Sequence, residues 1–87
     1  MSDKPIIVDG IKVNITADDL DDIEILELLA EVEENGAKIV VLLKKLFGEE
    51  KYKEIKEALR DQETGRTKTS RIMDWFGEVS KIVGAGN

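Results

Sequence analysis

The sequence predicts a mainly α protein, about four helices in a small bundle preceded by a short N-terminal β-hairpin, and three observations lead there. The first is residues 37–47, Ala-Lys-Ile-Val-Val-Leu-Leu-Lys-Lys-Leu-Phe, the densest apolar run in the chain. At 100° per residue, Ile39, Val40, Leu42, Leu43, Leu46 and Phe47 fill one arc of about 160°, and Lys38, Lys44 and Lys45 share the opposite side. The second is that three further stretches, near 20–34, 49–61 and 70–83, repeat apolar residues at helical spacing. The third is Asp9-Gly10, set between two β-rich triplets. A chain of 87 residues fits a single domain, 1–87. By size scaling it buries somewhat over 60% of its unfolded surface, so a partner or an oligomer would add to a modest stability. With 41% hydrophobic residues it is too aliphatic to be disordered.

Residues 6–15 read Ile-Ile-Val-Asp-Gly-Ile-Lys-Val-Asn-Ile. Asp-Gly suits a two-residue type I′ turn, in which both central residues need φ > 0. That turn pairs Val8 with Ile11 and Ile6 with Val13, places all four on one face and turns Lys12 and Asn14 to the other. A two-stranded hairpin is marginal alone in water, so this apolar face is expected to lie on helices. Two acid-rich helix starts follow, Thr16 with Asp19 and Asp21 with Glu24, each three residues apart as in a capping box. The first helix is expected from Leu20 or Asp21 to Glu34, with Gly36 offering a left-handed C-cap. Glu24, Glu27, Glu31 and Glu34 form a narrow acidic stripe on it, while Ile23, Ile25, Leu26, Leu28, Leu29, Ala30 and Val32 cover more than half of the circumference. Cover on two sides is therefore expected, from the next helix and from the hairpin or another subunit.

On the central helix, Val41 falls among the three lysines and is expected at the surface unless another chain covers it. Gly48 ends that helix, and Glu49 and Glu50 open a third that runs to Arg60 or Asp61. Tyr52, Ile55, Ala58 and Leu59 make its narrow apolar stripe, and Glu49 with Lys53 and Lys53 with Glu57 are spaced as i,i+4 ion pairs on a solvated face. Residues 61–68 are polar with a central glycine and read as a loop. Thr67 or Thr69 is positioned to cap the last helix, on which Ile72, Met73, Trp75, Phe76, Val79, Ile82 and Val83 spread over about half of the circumference. Residues 84–87 are read as a frayed end.

Chemistry is largely excluded by what the chain lacks. It has no histidine and no cysteine, which removes the usual general base, the nucleophilic thiol, disulfides and most transition-metal ligands. Its carboxylates lie on faces predicted to be solvated, where nothing raises a pKa toward acid catalysis. The reading is therefore not an enzyme, with no catalytic, cofactor-binding or metal residues. Asp18-Asp19-Leu20-Asp21-Asp22 is acid-rich enough to suggest calcium, but an EF-hand loop begun at Asp19 puts Ile23 where an oxygen ligand is needed and Glu24 where the sharp turn needs glycine. Helix capping accounts for it better. Residues 64–70, Thr-Gly-Arg-Thr-Lys-Thr-Ser, precede a helix N-terminus but lack the second glycine and the Gly-Lys-Ser/Thr order of a phosphate-binding loop, so a solvated turn is the better account.

Net charge is −6, unevenly divided: residues 1–36 hold 11 acidic and 2 basic side chains, net −9, and residues 37–87 hold 8 acidic and 11 basic, net +3. Either the acidic first helix lies across the more basic remainder, or copies associate head to tail with complementary patches setting register. An acidic chain with few aromatics disfavours nucleic acid. The opening Met-Ser-Asp-Lys-Pro has no apolar core of a signal peptide and the longest apolar run is far too short to span a bilayer, so no membrane partner and a cytoplasmic location are expected. Trp75 and Phe76 sit within an apolar face, where core is the default and a protein-binding anchor the alternative. The protein-interaction candidates are Val41, Trp75, Phe76 and Val79, with helix-in-groove contact as the mode.

The order of parts resembles a known family. It comprises an acidic N-terminal hairpin, an Asp-Asp-Ile-Glu-Ile-Leu-Glu-Leu-Leu-Ala-Glu helix, Leu46-Phe47-Gly48-Glu49-Glu50 running on to Tyr52, and Leu59-Arg60-Asp61 with Gly65-Arg66 before an amphipathic C-terminal helix. Together, from Ile6 to about Val83, these resemble the small tail assembly chaperones of long-tailed phages and prophages of Gram-positive bacteria. Relatives often continue with valine and proline after Gly-Arg, where this chain has Thr67-Lys68. The resemblance implies a protein that coats the long, aggregation-prone tape measure protein and keeps it soluble until tail tube subunits polymerise around it. Its implied partners are the tape measure protein, the tail tube protein and further copies of itself, in the bacterial host cytoplasm, with no cofactor. Such proteins are often made in a short form and a frameshifted longer one, and this length suits the short form or the shared domain. The reading from another class is a small acidic regulatory or inhibitory protein-interaction module, for example a decoy that occupies a nucleic-acid-binding surface.

Overall fold

The computed structural model describes residues 5–85 of the chain. Its elements, in order, are β1 (Ile6–Val8), β2 (Ile11–Val13), α1 (Ala17–Leu20), α2 (Ile23–Glu34), a 3₁₀ turn (Gly36–Lys38), α3 (Ile39–Phe47), α4 (Glu49–Ala58) and α5 (Thr69–Ala85). The described residues are mainly helical, with five α-helices and one short antiparallel hairpin. The hairpin has the predicted register, Val8 opposite Ile11 and Ile6 opposite Val13, because Asp9 and Gly10 both take positive φ, 55° and 79°. Ile11 and Val13 are buried, and Lys12 and Asn14 face water.

Both acid-rich stretches start helices: a separate single turn precedes the predicted first helix, which begins at Ile23 rather than at Leu20 or Asp21. The Asp19 carboxylate accepts a hydrogen bond from the Thr16 backbone N–H (2.8 Å), and a single helical turn, α1, forms there. The chain then breaks at Asp21, and Asp22 rather than Asp21 caps α2, its Oδ1 accepting from the Glu24 N–H at 2.8 Å. At the other end, Gly36 is not the left-handed cap expected of it. Asn35 is extended, donates its N–H to the Glu31 carbonyl and accepts the Ala37 N–H on its side-chain oxygen at 3.1 Å. One asparagine thus closes α2 and opens the turn into α3. Gly48, at φ 89°, does the corresponding work between α3 and α4.

The core is one cluster of aliphatic and aromatic side chains, drawn from the hairpin, α2, α3, α4 and α5. Leu42, Leu43, Ile55, Trp75 and Val79 are completely enclosed, and no polar or charged side chain is buried among the described residues. At about 1.5–3 kcal/mol for each fully buried large side chain, α5 makes the largest helical contribution through Ile72, Trp75, Phe76, Val79 and Val83, and α3 follows with Ile39, Leu42 and Leu43, with Val40, Leu46 and Phe47 packed at its edge. The hairpin lies on α5: the Trp75 indole Nε1–H donates to the Val8 carbonyl (3.1 Å), and Arg71 pairs with Asp9 at the turn (3.1 Å). Phe47 meets Trp75 edge-on, with ring centroids 5.9 Å apart.

Other differences from expectation are local. The solvated face of α4 does not use Glu49–Lys53 or Lys53–Glu57 pairs; Lys51 pairs with Glu54 and Arg60 with Glu57, each three residues apart. The Glu57 carboxyl is held below its usual range by the hydrogen bond from Arg60 and by its charge, and the same contact raises Arg60. Thr67 does not cap α5, because its hydroxyl donates to the Lys56 carbonyl (2.8 Å) and ties the loop back to α4. Helix α5 starts at Thr69 and continues through Gly84 and Ala85, where fraying was expected; the rest of that expectation, residues 86–87, lies outside the described residues.

Candidate interaction surface

Of the four predicted interaction residues, the fold places three inside. Trp75 and Val79 have no exposed surface and Phe76 is 6% exposed, so these side chains cannot anchor a partner while the domain is folded. The reason is the hairpin: its apolar face and its Val8 carbonyl cover the middle of the α5 stripe, leaving only the rims, Met73 and Ile82, partly in water. Val41 stands where its helical position puts it, 47% exposed among lysines.

Those lysines are already engaged. Lys45 pairs with Glu24 (2.9 Å) and Lys38 with Glu31 (3.4 Å), two contacts that run in opposite directions along α2 and α3 and so clasp the helices antiparallel. The hydrogen bond and charge of Glu24 raise the Lys45 ammonium above its ordinary value. Lys44 sits over the Tyr52 ring, 5.6 Å from its centroid, with Lys56 at 5.2 Å.

A larger apolar surface lies on α2. Ile23 is 67% and Leu26 58% exposed, with Ala30 also in water, whereas Ile25 and Val32 on the opposite side are buried. The expectation that α2 would be covered on two sides therefore holds within the subunit for one side only. On the helical wheel Leu26, Ala30 and Ile23 share an arc of about 60°, with Glu33 at one edge and Glu27 and Glu34 at the other. Among the described residues these three glutamates form no ion pair, and residues 17–36 contain nine carboxylates and no cation. Like-charge density on this scale keeps an apolar face in solution and selects what approaches it.

A shallow groove of about 190 Å³, lined by Ala58, Leu59, Arg60, Asp61, Lys68 and Arg71, opens beside the start of α5. Arg60 is bound to Glu57 and donates to the Gly65 carbonyl (2.7 Å), and Arg71 is held by Asp9, so these two arginines brace the 61–67 loop and the hairpin turn. Among the described residues no group of acids is placed to hold a metal ion. No described helix is long and apolar enough to cross a membrane. No family model, curated protein or solved structure matches the chain. Sequence reasoning singled out Val41 and passed over Ile23 and Leu26, whose signal was present in the excess apolar circumference of α2.

Proposed function

We propose that this protein is a phage tail assembly chaperone, which binds the tape measure protein and keeps it soluble in the bacterial host cytoplasm while the tail tube is built. The observation that carries the reading is the outer face of α2, where Ile23 and Leu26 stay in water on a subunit whose remaining large apolar side chains are mostly packed. Such a face suits reversible contact with helices of a longer chain, and its carboxylates suit a protein that must stay soluble with apolar surface exposed. No catalytic role is assigned to any residue. The test is co-expression with a tape measure fragment from the same genome: the fragment moves from the pellet to the soluble fraction and co-purifies with this protein. A fragment that stays insoluble at equal expression overturns the reading. A tail tube gene upstream and a very long helical-repeat gene downstream is the gene order expected.

A second reading has its own observation. The cation-free run of nine carboxylates over residues 17–36 suits an acidic module that occupies a nucleic-acid-binding surface. It predicts capture of a basic DNA- or RNA-binding protein in competition with nucleic acid, and no effect on tape measure solubility.

A further inference from the structure

We propose that the outer face of α2 is a docking surface for a cationic amphipathic helix of another protein, and not for a second copy of this chain. This deepens the chaperone reading by naming the chemistry of the client segment, and it rests on that reading for the client's identity.

Three features of the face specify the occupant. Ile23, Leu26 and Ala30 lie at i, i+3 and i+7, so they form a stripe two turns long that matches the apolar seam of another helix. Ala30, at its C-terminal end, projects only a methyl group, which permits the axes to approach there to the 8–10 Å of packed helices. Both edges carry glutamates without a cation: Glu33 on one side, Glu27 and Glu34 on the other. The neighbouring Glu24 and Glu31 are already held by Lys45 and Lys38, so uncompensated charge is confined to the rim of the apolar stripe. A helix with lysines or arginines beside its own apolar seam meets both features at once.

The described residues offer no such helix. Two α2 faces brought together would set glutamates against glutamates, which opposes a symmetric dimer through this stripe. The α3 face around Val41 has lysines, but Lys38 and Lys45 are paired and Lys44 covers Tyr52. Arg71 and Lys81 on α5 are paired with Asp9 and Glu78. Ile7 and Lys12, side by side on the outer face of the hairpin, supply one apolar and one cationic group, too little for a two-turn stripe.

The experiment uses the isotope-labelled full chain and a synthetic 18-residue helical peptide of leucines at i, i+3, i+7 and i+10 with lysines flanking them. A peptide with glutamate for every lysine is the control. The lysine peptide is expected to shift amide signals of Ile23, Leu26, Glu27, Ala30 and Glu34, and the glutamate peptide to leave them unmoved. Leu26→Ser is expected to weaken binding about tenfold, the loss typical of an interface anchor, and Val41→Asp to leave it unchanged. Glu27→Gln with Glu34→Gln is expected to flatten its salt dependence. Shifts spread over all the carboxylates, or equal affinity for Leu26→Ser, would reduce the effect to general charge attraction and overturn the proposal. So would concentration-dependent shifts of the same residues without peptide, with a dimer in sedimentation. The two proposals fail separately. A tape measure fragment solubilised equally by Leu26→Ser removes this surface and leaves the chaperone; peptide docking on α2 with the fragment still insoluble removes the chaperone and leaves the surface.

Discussion

Leu26 and Leu42 are the same residue in adjacent helices, and truncating each to alanine tests whether the outer face of α2 is free. Leu42 has no exposed surface and sits where α3 meets the rest of the core, so Leu42→Ala removes a full burial and leaves a cavity. The cost is about 3 kcal/mol, within the 2–5 usual for this change. At 4–8 °C per kcal/mol for a domain of this size, the melting temperature falls by about 15 °C. Leu26 is 58% exposed, so less than half of its transfer energy is at stake. Alanine also regains a few tenths of a kcal/mol in helix propensity, and the net loss is about 0.5 kcal/mol, a shift of about 3 °C. Thermal melts followed by circular dichroism at 10 and 200 μM measure both. A loss for Leu26→Ala approaching that for Leu42→Ala would refute the claim that the α2 stripe lies in water. If that loss grew with concentration, the cover would be a second copy.

Three further outcomes are expected. Val41→Asp keeps the fold, because the new carboxylate lies between Lys38 and Lys45 at helical spacing, and its melt stays within a few degrees of the parent; cooperative unfolding at room temperature would show Val41 to be core. Trp75→Phe deletes the indole N–H that binds the Val8 carbonyl and part of a fully enclosed ring, costing about 2–3 kcal/mol, and faster amide exchange at Ile11 and Val13 reports the loosened hairpin; unchanged exchange would mean that the hairpin holds without it. Because Arg60 lowers the Glu57 carboxyl in the folded state, that contact stabilises the fold above the unfolded pKa and is lost as pH falls through the lower folded value. Carbon-detected titration therefore finds Glu57 below the ordinary glutamate value, and Arg60→Ala returns it there; a Glu57 unmoved by that substitution would break the assignment.

What could be read in the letters, and what could not, follows from how far each signal reaches along the chain. The hairpin register was legible because Asp9-Gly10 dictates the turn, and the turn dictates every pairing. The exposure of Val41 was legible because its flanking lysines mark the wet side of α3. Signals that compete over two or three residues were not. Asp21 and Asp22 are equally good caps by type, and the α1 turn closing at Leu20 gave the place to Asp22. Gly36 has the conformational freedom of a C-cap, but the Asn35 side chain could serve the next turn directly. The fate of the α5 stripe depended on a partner some 67 residues away: the wheel centres Trp75, Phe76 and Val79 in an apolar arc but does not say that the hairpin lies over them.

The same limit explains why the wide apolar circumference of α2 was legible but not which part of it stays uncovered, and the explanation bears on what that part does. An apolar circumference too wide for one neighbour has two physical outcomes, a second neighbour within the fold or a face left in water. The hairpin settles on α5 instead, and α2 is left with Ile23 and Leu26 outside. Uncovered leucine and isoleucine on a neutral helix invite pairing with any copy that arrives. Here Glu27, Glu33 and Glu34 line the stripe and impose a charge penalty on that encounter, while a cation-bearing helix gains where a copy loses. The carboxylates that make the face tolerable in solution are therefore also the ones that choose its partner. Neutralising them should make the protein both less selective and more prone to self-associate: Glu27→Gln, Glu33→Gln and Glu34→Gln together are expected to produce dimers in sedimentation at concentrations where the parent is monomeric. A triple variant that remains monomeric at every concentration would show that the apolar stripe is too small to drive association on its own, and that the charges are not what restrains it.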